Sequence, residues 1–329
     1  MHAVSRPGLT PSGSFPFGCL RVHLKVLVLL GLGLAWLGAL PAAWADEPSD
    51  LDALELADAP LTATQVVRDW QGFTEVALGQ FTAPNGRVTS NQRLSLDFQL
   101  DRSIARRWRA VLADRLDVKW PPQYGDENRI NTLKEAYISW QASDEHLLDI
   151  GRVNVRNGVA MGYNPTDYFR SGAVRSVVSS DPGSLKKNRL GSVMLRGQTL
   201  WNGGSLTALV SPKMAEQAST SAFSPDYGAT NNQNRWLLSV SQRLTDKITP
   251  QWLLYGEERQ PVQLGMNLTT LAGDATVLFA EWSGGQSRSQ LSQAGLVLED
   301  DRFHQRAAAG VTYTASNKLS VTLEYAYND

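Results

Sequence analysis

The chain has 329 residues, 31 Lys and Arg against 32 Asp and Glu, and a single cysteine, Cys19. This near-neutral balance gives no basic footprint for a nucleic-acid partner, and one cysteine excludes a disulfide framework or a thiolate metal site. Beyond the first forty-odd residues no apolar run approaches the length of a membrane-spanning helix.

Residues 1–45 read as a secretory signal. Arg6, Arg21 and Lys25 form a positive region, Val26 to Leu40 an apolar one, and Ala43-Trp44-Ala45 a small-x-small cleavage pattern. An N-terminal membrane anchor is the alternative, but the apolar run is short, glycine-broken and ends in a cleavage site. Cleavage after Ala45, following export by the Sec route, removes three basic residues and no acids and leaves 28 basic against 32 acidic residues. Cys19 precedes the apolar run, which argues against a lipidated cysteine. Residues 46–70 form an acidic, strand-poor segment, expected in the periplasm either as a short amphipathic helix between Pro48 and Pro60 or as a disordered leader.

From residue 71 onward the polarity alternates with period two. Leu94, Leu96, Phe98 and Leu100 face one way, and Arg93, Ser95, Asp97 and Gln99 the other. Thirteen such segments are predicted: 71–81, 92–101, 106–119, 131–141, 146–154, 190–200, 204–211, 235–244, 250–258, 261–270, 274–283, 304–314 and 318–327. Strands of about ten residues, when tilted, match the thickness of a bilayer. The linkers support that reading. Short ones rich in Asn, Asp, Gly and Ser, such as Asn202-Gly203-Gly204 and Ser316-Asn317-Lys318, alternate with long ones at 82–91, 120–130, 155–189, 212–234 and 284–303. Only the link from Glu258 to Pro261 breaks the alternation. Short periplasmic turns and long external loops are the asymmetry of an outer-membrane barrel. The predicted class is therefore all-β, a transmembrane antiparallel β-barrel over residues 71–329. Trp120, Trp140, Trp201 and Trp282 are expected at strand ends, as an interfacial girdle. A thirteenth strand that rises and stops at Asp329 predicts a C-terminally incomplete sequence, with fourteen or more strands in the whole protein.

The third strand carries the clearest charge pattern. Trp108, Ala110, Leu112, Leu116, Val118 and Trp120 share one face, and Arg107, Arg109, Arg115, Asp117 and Lys119 share the other. A cation placed in mid-bilayer costs about 2–4 kcal/mol, which assigns the charged face to the lumen. Asp114 falls on the apolar face, and a bulge there would account for it. Glu135 on the next strand is expected near Arg115 and Asp117, if Trp120 pairs near Asn131, and Arg196 extends the series. These groups form either a structural charge network or a basic ladder for anionic solutes.

The longest linker runs Gly151-Arg152-Val153-Asn154-Val155-Arg156-Asn157-Gly158, then Gly162-Tyr163-Asn164-Pro165-Thr166-Asp167-Tyr168-Phe169-Arg170. Here the chain resembles outer-membrane porin-like proteins, including those of the alginate-export type. The resemblance is diffuse over residues 71–329, sharpest in 147–200, and implies a pore fold more firmly than a substrate. A loop of this length either folds into the barrel and narrows it or stays outside. Asn164-Pro165 opens a turn, and Asp167 is a candidate helix cap. Arg152, Arg156, Arg170, Arg175, Lys186, Lys187 and Arg189 outnumber Asp167 and Asp181. At a constriction these cations favour anions; on the outside they would meet lipopolysaccharide phosphates.

No enzyme is predicted. After cleavage only His146 and His304 remain, neither with metal-ligand spacing, and no nucleophile elbow is present. No cofactor is expected. The predicted function is a channel for passive passage of small, anionic solutes, with export of an anionic polysaccharide and a non-conducting structural or adhesive barrel as alternatives. The expected partners are outer-membrane lipid and lipopolysaccharide, the solute itself and the barrel-assembly machinery, with no nucleic acid.

Overall fold

The computed structural model describes residues 69–122, 127–177, 181–258, 260–288 and 301–329. The predicted signal and the acidic segment up to residue 68 lie outside the described residues. All thirteen strands form: β1 (Trp70–Thr82), β2 (Val88–Ala105), β3 (Trp108–Trp120), β4 (Arg129–Gln141), β5 (His146–Val153), β6 (Ser192–Trp201), β7 (Gly204–Ser211), β8 (Arg235–Gln242), β9 (Gln251–Glu257), β10 (Gln260–Leu271), β11 (Thr276–Arg288), β12 (Asp301–Thr314) and β13 (Ser320–Asn328). They make one antiparallel sheet in strict chain order, with β1 and β13 at its edges. Two short helices, α1 (Pro182–Lys187) and α2 (Tyr227–Thr230), lie in the long linkers.

Polarity is inverted relative to a water-soluble protein. Arg115, Lys134, Asp117, Asn267 and Glu281 are buried, whereas Leu264, Leu323, Trp108 and Trp236 are exposed. The strand period explains this: odd positions of β3 point to a polar interior, and even positions form an apolar outer wall. The sheet curls around its own interior in the manner of a β-barrel, with no pairing between the edge strands β1 and β13 among the described residues. The linker 154–191 carries the proof, because it bonds to β3, β10, β11 and β13 from the same side of the sheet.

Turn chemistry matches the pairing. Residues 106–107, 142–145, 202–203 and 272–275 close hairpins at one end, and the longer linkers after β3, β5 and β7 leave from the other. The linker expected at 82–91 shortens to 83–87, because β2 extends to 18 residues. Gly203 and Gly273 take positive φ in the tight turns, as such turns demand.

Two bands of tryptophan ring the outer wall. Trp70, Trp108, Trp140, Trp201 and Trp252 sit at strand ends beside the short turns, and Trp120 and Trp236 at the opposite rim. Trp108 and Trp140 stack at 5.9 Å. Trp282 departs from expectation: it lies in the middle of β11, which runs on to Arg288.

The bulge near Asp114 is present, but the extra residue belongs to β4. Ala113 opposes Glu135 and Asp114 opposes Leu133, so Lys134 is the inserted residue. Strand β3 keeps its alternation. Asp114 stays on the outer-facing side and accepts a hydrogen bond from Asn131 Nδ2 at 2.7 Å. The insertion turns Thr132 and Lys134 inward below it, and Glu135, Tyr137 and Ser139 inward above it.

Candidate functional site: a loop across the lumen

The linker between β5 and β6 folds into the barrel. Its base is knotted by Arg189, which is buried. The guanidinium donates to both oxygens of Asp167 at 2.7 and 2.9 Å, to Asn154 Oδ1 at 2.9 Å and to the Val155 carbonyl. A planar fork meeting a carboxylate in two places is a strong, geometrically selective pairing. Asp167 therefore serves this pair and caps no helix. Asp181 is the cap instead, accepting from Ser184 N at 2.7 Å at the start of α1, whose last turn carries Lys186 and Lys187. Lys186 reaches back and donates to Asn164 Oδ1 at 2.7 Å, and to the carbonyls of Gly158 and Ala160.

One side of this loop is apolar and lies on the wall of β5–β9. Val155 and Phe169 pack with Val153, Met194, Leu209, Leu237, Leu253 and Tyr255. Tyr168 stacks on Tyr255 at 4.4 Å, and Arg235 lies 4.6 Å over the Phe169 ring. The inward Leu237 and Leu253, anomalous for a water-filled lumen, are thereby covered. Each large side chain buried this way contributes roughly 1.5–3 kcal/mol.

The loop tip crosses to the far wall and ends on two carboxylates. Glu281 of β11 accepts from Val159 N and Ala160 N, each at 3.0 Å, and from Thr166 N at 2.7 Å; the Thr166 hydroxyl lies 2.8 Å away. Glu324 of β13 accepts from Met161 N at 2.7 Å, Tyr163 N at 2.8 Å and Gly162 N at 3.1 Å. Consecutive backbone amides converging on an anion form a nest. Gly158 is required at its turn: its φ is +88°, and a Cβ there would stand 2.6 Å from Glu281 Oε1. The Tyr168 hydroxyl meets Ser283 Oγ at 2.9 Å and rests against Gly265 of β10.

The wall of β1–β4 carries charge instead of a loop lining. Buried Arg115 contacts Asp117 at 3.0 Å, Glu75 at 2.8 Å and Asp97 at 3.6 Å. Lys134, delivered by the bulge, meets Asp97 at 2.6 Å, and Arg93 pairs with Glu75. Ser95 donates to Asp117. The basic residues of this wall are thus interleaved with acids.

The expected site residues separate into three groups. The first group lies on the strands: Arg115 and Lys119, which donates to the Val177 carbonyl at 3.0 Å, in the β1–β4 wall, Arg109, 3.4 Å from Asp101, at its base, and Arg196 of β6, 2.6 Å from Asp149 of β5. A second group holds loops. Arg152 donates to the Gly191 and Pro225 carbonyls and lies 5.2 Å over the Tyr227 ring. Arg175 donates to the carbonyls of Asn131, Ser221 and Ser224 and faces Asp226 at 3.6 Å. The third group is exposed. Arg156 and Arg170 project from the crossing loop. Arg107 occupies the β2–β3 turn with positive φ, where it donates to the Ala142 carbonyl at 2.9 Å, so it lies at the rim and off the strand. Glu135 does not join Arg115 and Asp117. It opposes Ala113, because Asn131 pairs with Leu116 and not with Trp120.

Residues without a predicted role complete the site: Glu75, Asp97, Lys134, Glu281, Glu324 and Arg306. Their only sequence signal is a charge at an inward position of a strand. Arg306 on β12 donates to Gln263 Oε1 at 2.7 Å. Burial pushes the Tyr163 phenol in the loop tip up, against the opposing pull of the Arg306 and Arg170 guanidiniums.

No protein-family model and no curated protein matches the sequence. Solved structures do share its architecture. Acinetobacter baumannii OccAB1 is 12% identical with a TM-score of 0.50, the match covering 81% of this chain and 67% of that one. Pseudomonas aeruginosa OccK8 (OprE) is 11% identical with a TM-score of 0.49, covering 79% and 69%. A mutant of Rh. blastica porin is 13% identical with a TM-score of 0.38, covering 79% and 94%. At such identities the likeness is one of fold, and it rests on the first of these. The chain has the fold of an outer-membrane porin β-barrel.

Proposed function

We propose that this protein is an outer-membrane channel through which small solutes pass by diffusion, narrowed by the loop 154–191. The observation that carries the reading is a loop tied across a polar barrel interior by buried wall groups, under an apolar outer wall. Such a loop narrows the barrel interior, and the charged β1–β4 wall, its inward groups buried in their own ion pairs, borders the same interior. Passive passage needs no catalytic group, and the transport reading fits that absence of demand. The predicted signal, Sec export, lipopolysaccharide contact and assembly by the barrel machinery belong to the same proposal.

The finer expectation, anion preference, changes its basis. A continuous basic ladder gains little support, because Arg115, Lys134 and Arg196 each face an acid. Preference for anions now rests on Arg156, Arg170 and Arg306 around the crossing loop. Export of a bulky polysaccharide is less favoured, since the loop is fixed at both walls.

Planar-bilayer recording tests both levels. Stepwise conductance is expected, and its absence would overturn the channel. A reversal potential in a salt gradient that reports anion selectivity is expected, and cation selectivity would remove the anionic reading alone.

A further inference from the structure

The crossing loop is not held evenly. Around its tip Glu281 secures Val159, Ala160 and Thr166, and Lys186 secures Asn164. Between those anchors stand three residues, Met161, Gly162 and Tyr163, whose backbone amides all point to Glu324. The two carboxylates differ in setting. Glu281 is 2% exposed on β11, whereas Glu324 is half-buried on β13. Met161 and Gly162 are themselves exposed. Packing of Tyr163 beside Phe279 and Ala308 adds an apolar hold at one end of the trio.

We infer that Glu324 is a positioning residue that sets the size cut-off of the pore by holding the bight Met161–Tyr163 against the far wall. The inference rests on the channel reading above. Its physical basis is that a carboxylate accepting several amides is a strong acceptor, while the isosteric amide offers one oxygen and turns an N–H donor toward N–H donors. Replacing that one group frees Met161 and Gly162, with Tyr163 still held by packing, and leaves both flanking anchors intact. The loop stays folded, and only its edge toward the lumen moves.

Two measurements on the full chain test this, one of them independent of conductance. Gly162 suits a cysteine probe: a Cβ there would meet only the flexible end of Glu324, at 3.3 Å. In a Cys19→Ser background, Gly162→Cys is modified by a charged methanethiosulfonate reagent, with and without Glu324→Gln. Labelling about tenfold faster in the Glu324→Gln chain is expected, the change that losing one charge-assisted hydrogen bond permits. Equal rates would overturn the proposal, whether or not the protein conducts. In single-channel records Glu324→Gln should add open-channel noise and admit larger neutral sugars or polyethylene glycols, with heat-modifiable mobility unchanged. Glu324→Asp should restore part of the quiet trace. Wild-type noise and an unchanged cut-off in Glu324→Gln would overturn it. A channel that never opens but shows faster labelling would instead sink the conduction reading and keep the latch.

Discussion

The walls β1–β4 and β5–β9 solve the same problem in opposite ways. Strands β1–β4 run 13 to 18 residues and fill their inner face with Glu75, Asp97, Arg115, Asp117 and Lys134, which pair with one another. Strands β5–β9 run 7 to 10 residues and present Met194, Leu209, Leu237, Leu253 and Tyr255, which the crossing loop covers. An inward apolar side chain needs a protein lid, and an inward charge needs a counter-charge or water. The first wall is thus closed by its own ion pairs, and the second becomes the seat of the crossing loop. Size exclusion should depend on one half and charge selectivity on the other.

The sharpest way to break this division is at the loop base. Arg189→Ala strands a buried Asp167 and removes the knot; a loss of about 3–5 kcal/mol of local stability is expected. It should appear as proteolytic nicking within 154–191 and a clear rise in conductance. Unchanged conductance would mean that the loop does not limit the pore. Next in size, Arg115→Met leaves Asp117 and Glu75 short of a partner while Lys134 still answers Asp97. A stability loss of about 1–3 kcal/mol, read by the temperature of heat modification, is expected. The reversal potential should move toward cations, with conductance much less altered. A large conductance change without a selectivity change would erase the distinction between the walls. Smaller again, Tyr168→Phe removes the hydroxyl that meets Ser283 but keeps the stack on Tyr255, and about 1 kcal/mol is expected. The check is an intermediate rate of nicking in the loop, between wild type and Arg189→Ala. The smallest effect on the pore is expected on the outer face of β4: Trp140→Ala loses its stack with Trp108, about 0.5–1.5 kcal/mol beyond area. It should lower thermal stability and leave selectivity unchanged.

The contrast also explains which expectations failed. The lumen assignment of Arg115 and Lys119 followed from the cost of charge in lipid, a local argument, and it agrees with their inward positions. Counting arginines in 152–189 as free pore charge misread them, because Arg152, Arg175 and Arg189 are spent on carbonyls and on Asp167 and Asp226. Asp167 was assigned a cap because Asp beside a turn commonly is one, and the partner that claimed it lies 22 residues away. The bulge was legible at Asp114 as a break in alternation. Its carrier was not, since an inserted residue on either strand shifts the pairing alike, and only the register identifies Lys134.

By itself the sequence determined the strands, their alternating faces and the side of the hairpin turns. Those features depend on neighbours two residues apart and on turn residues with local conformational preferences. The tertiary structure alone decided where the long loop lies and which charges remain available. Its anchors Glu281 and Glu324 are 115 to 163 residues from the amides they hold. Such contacts depend on the curl of the whole sheet, which brings β11 and β13 opposite a loop that starts at β5, and no local pattern encodes that meeting.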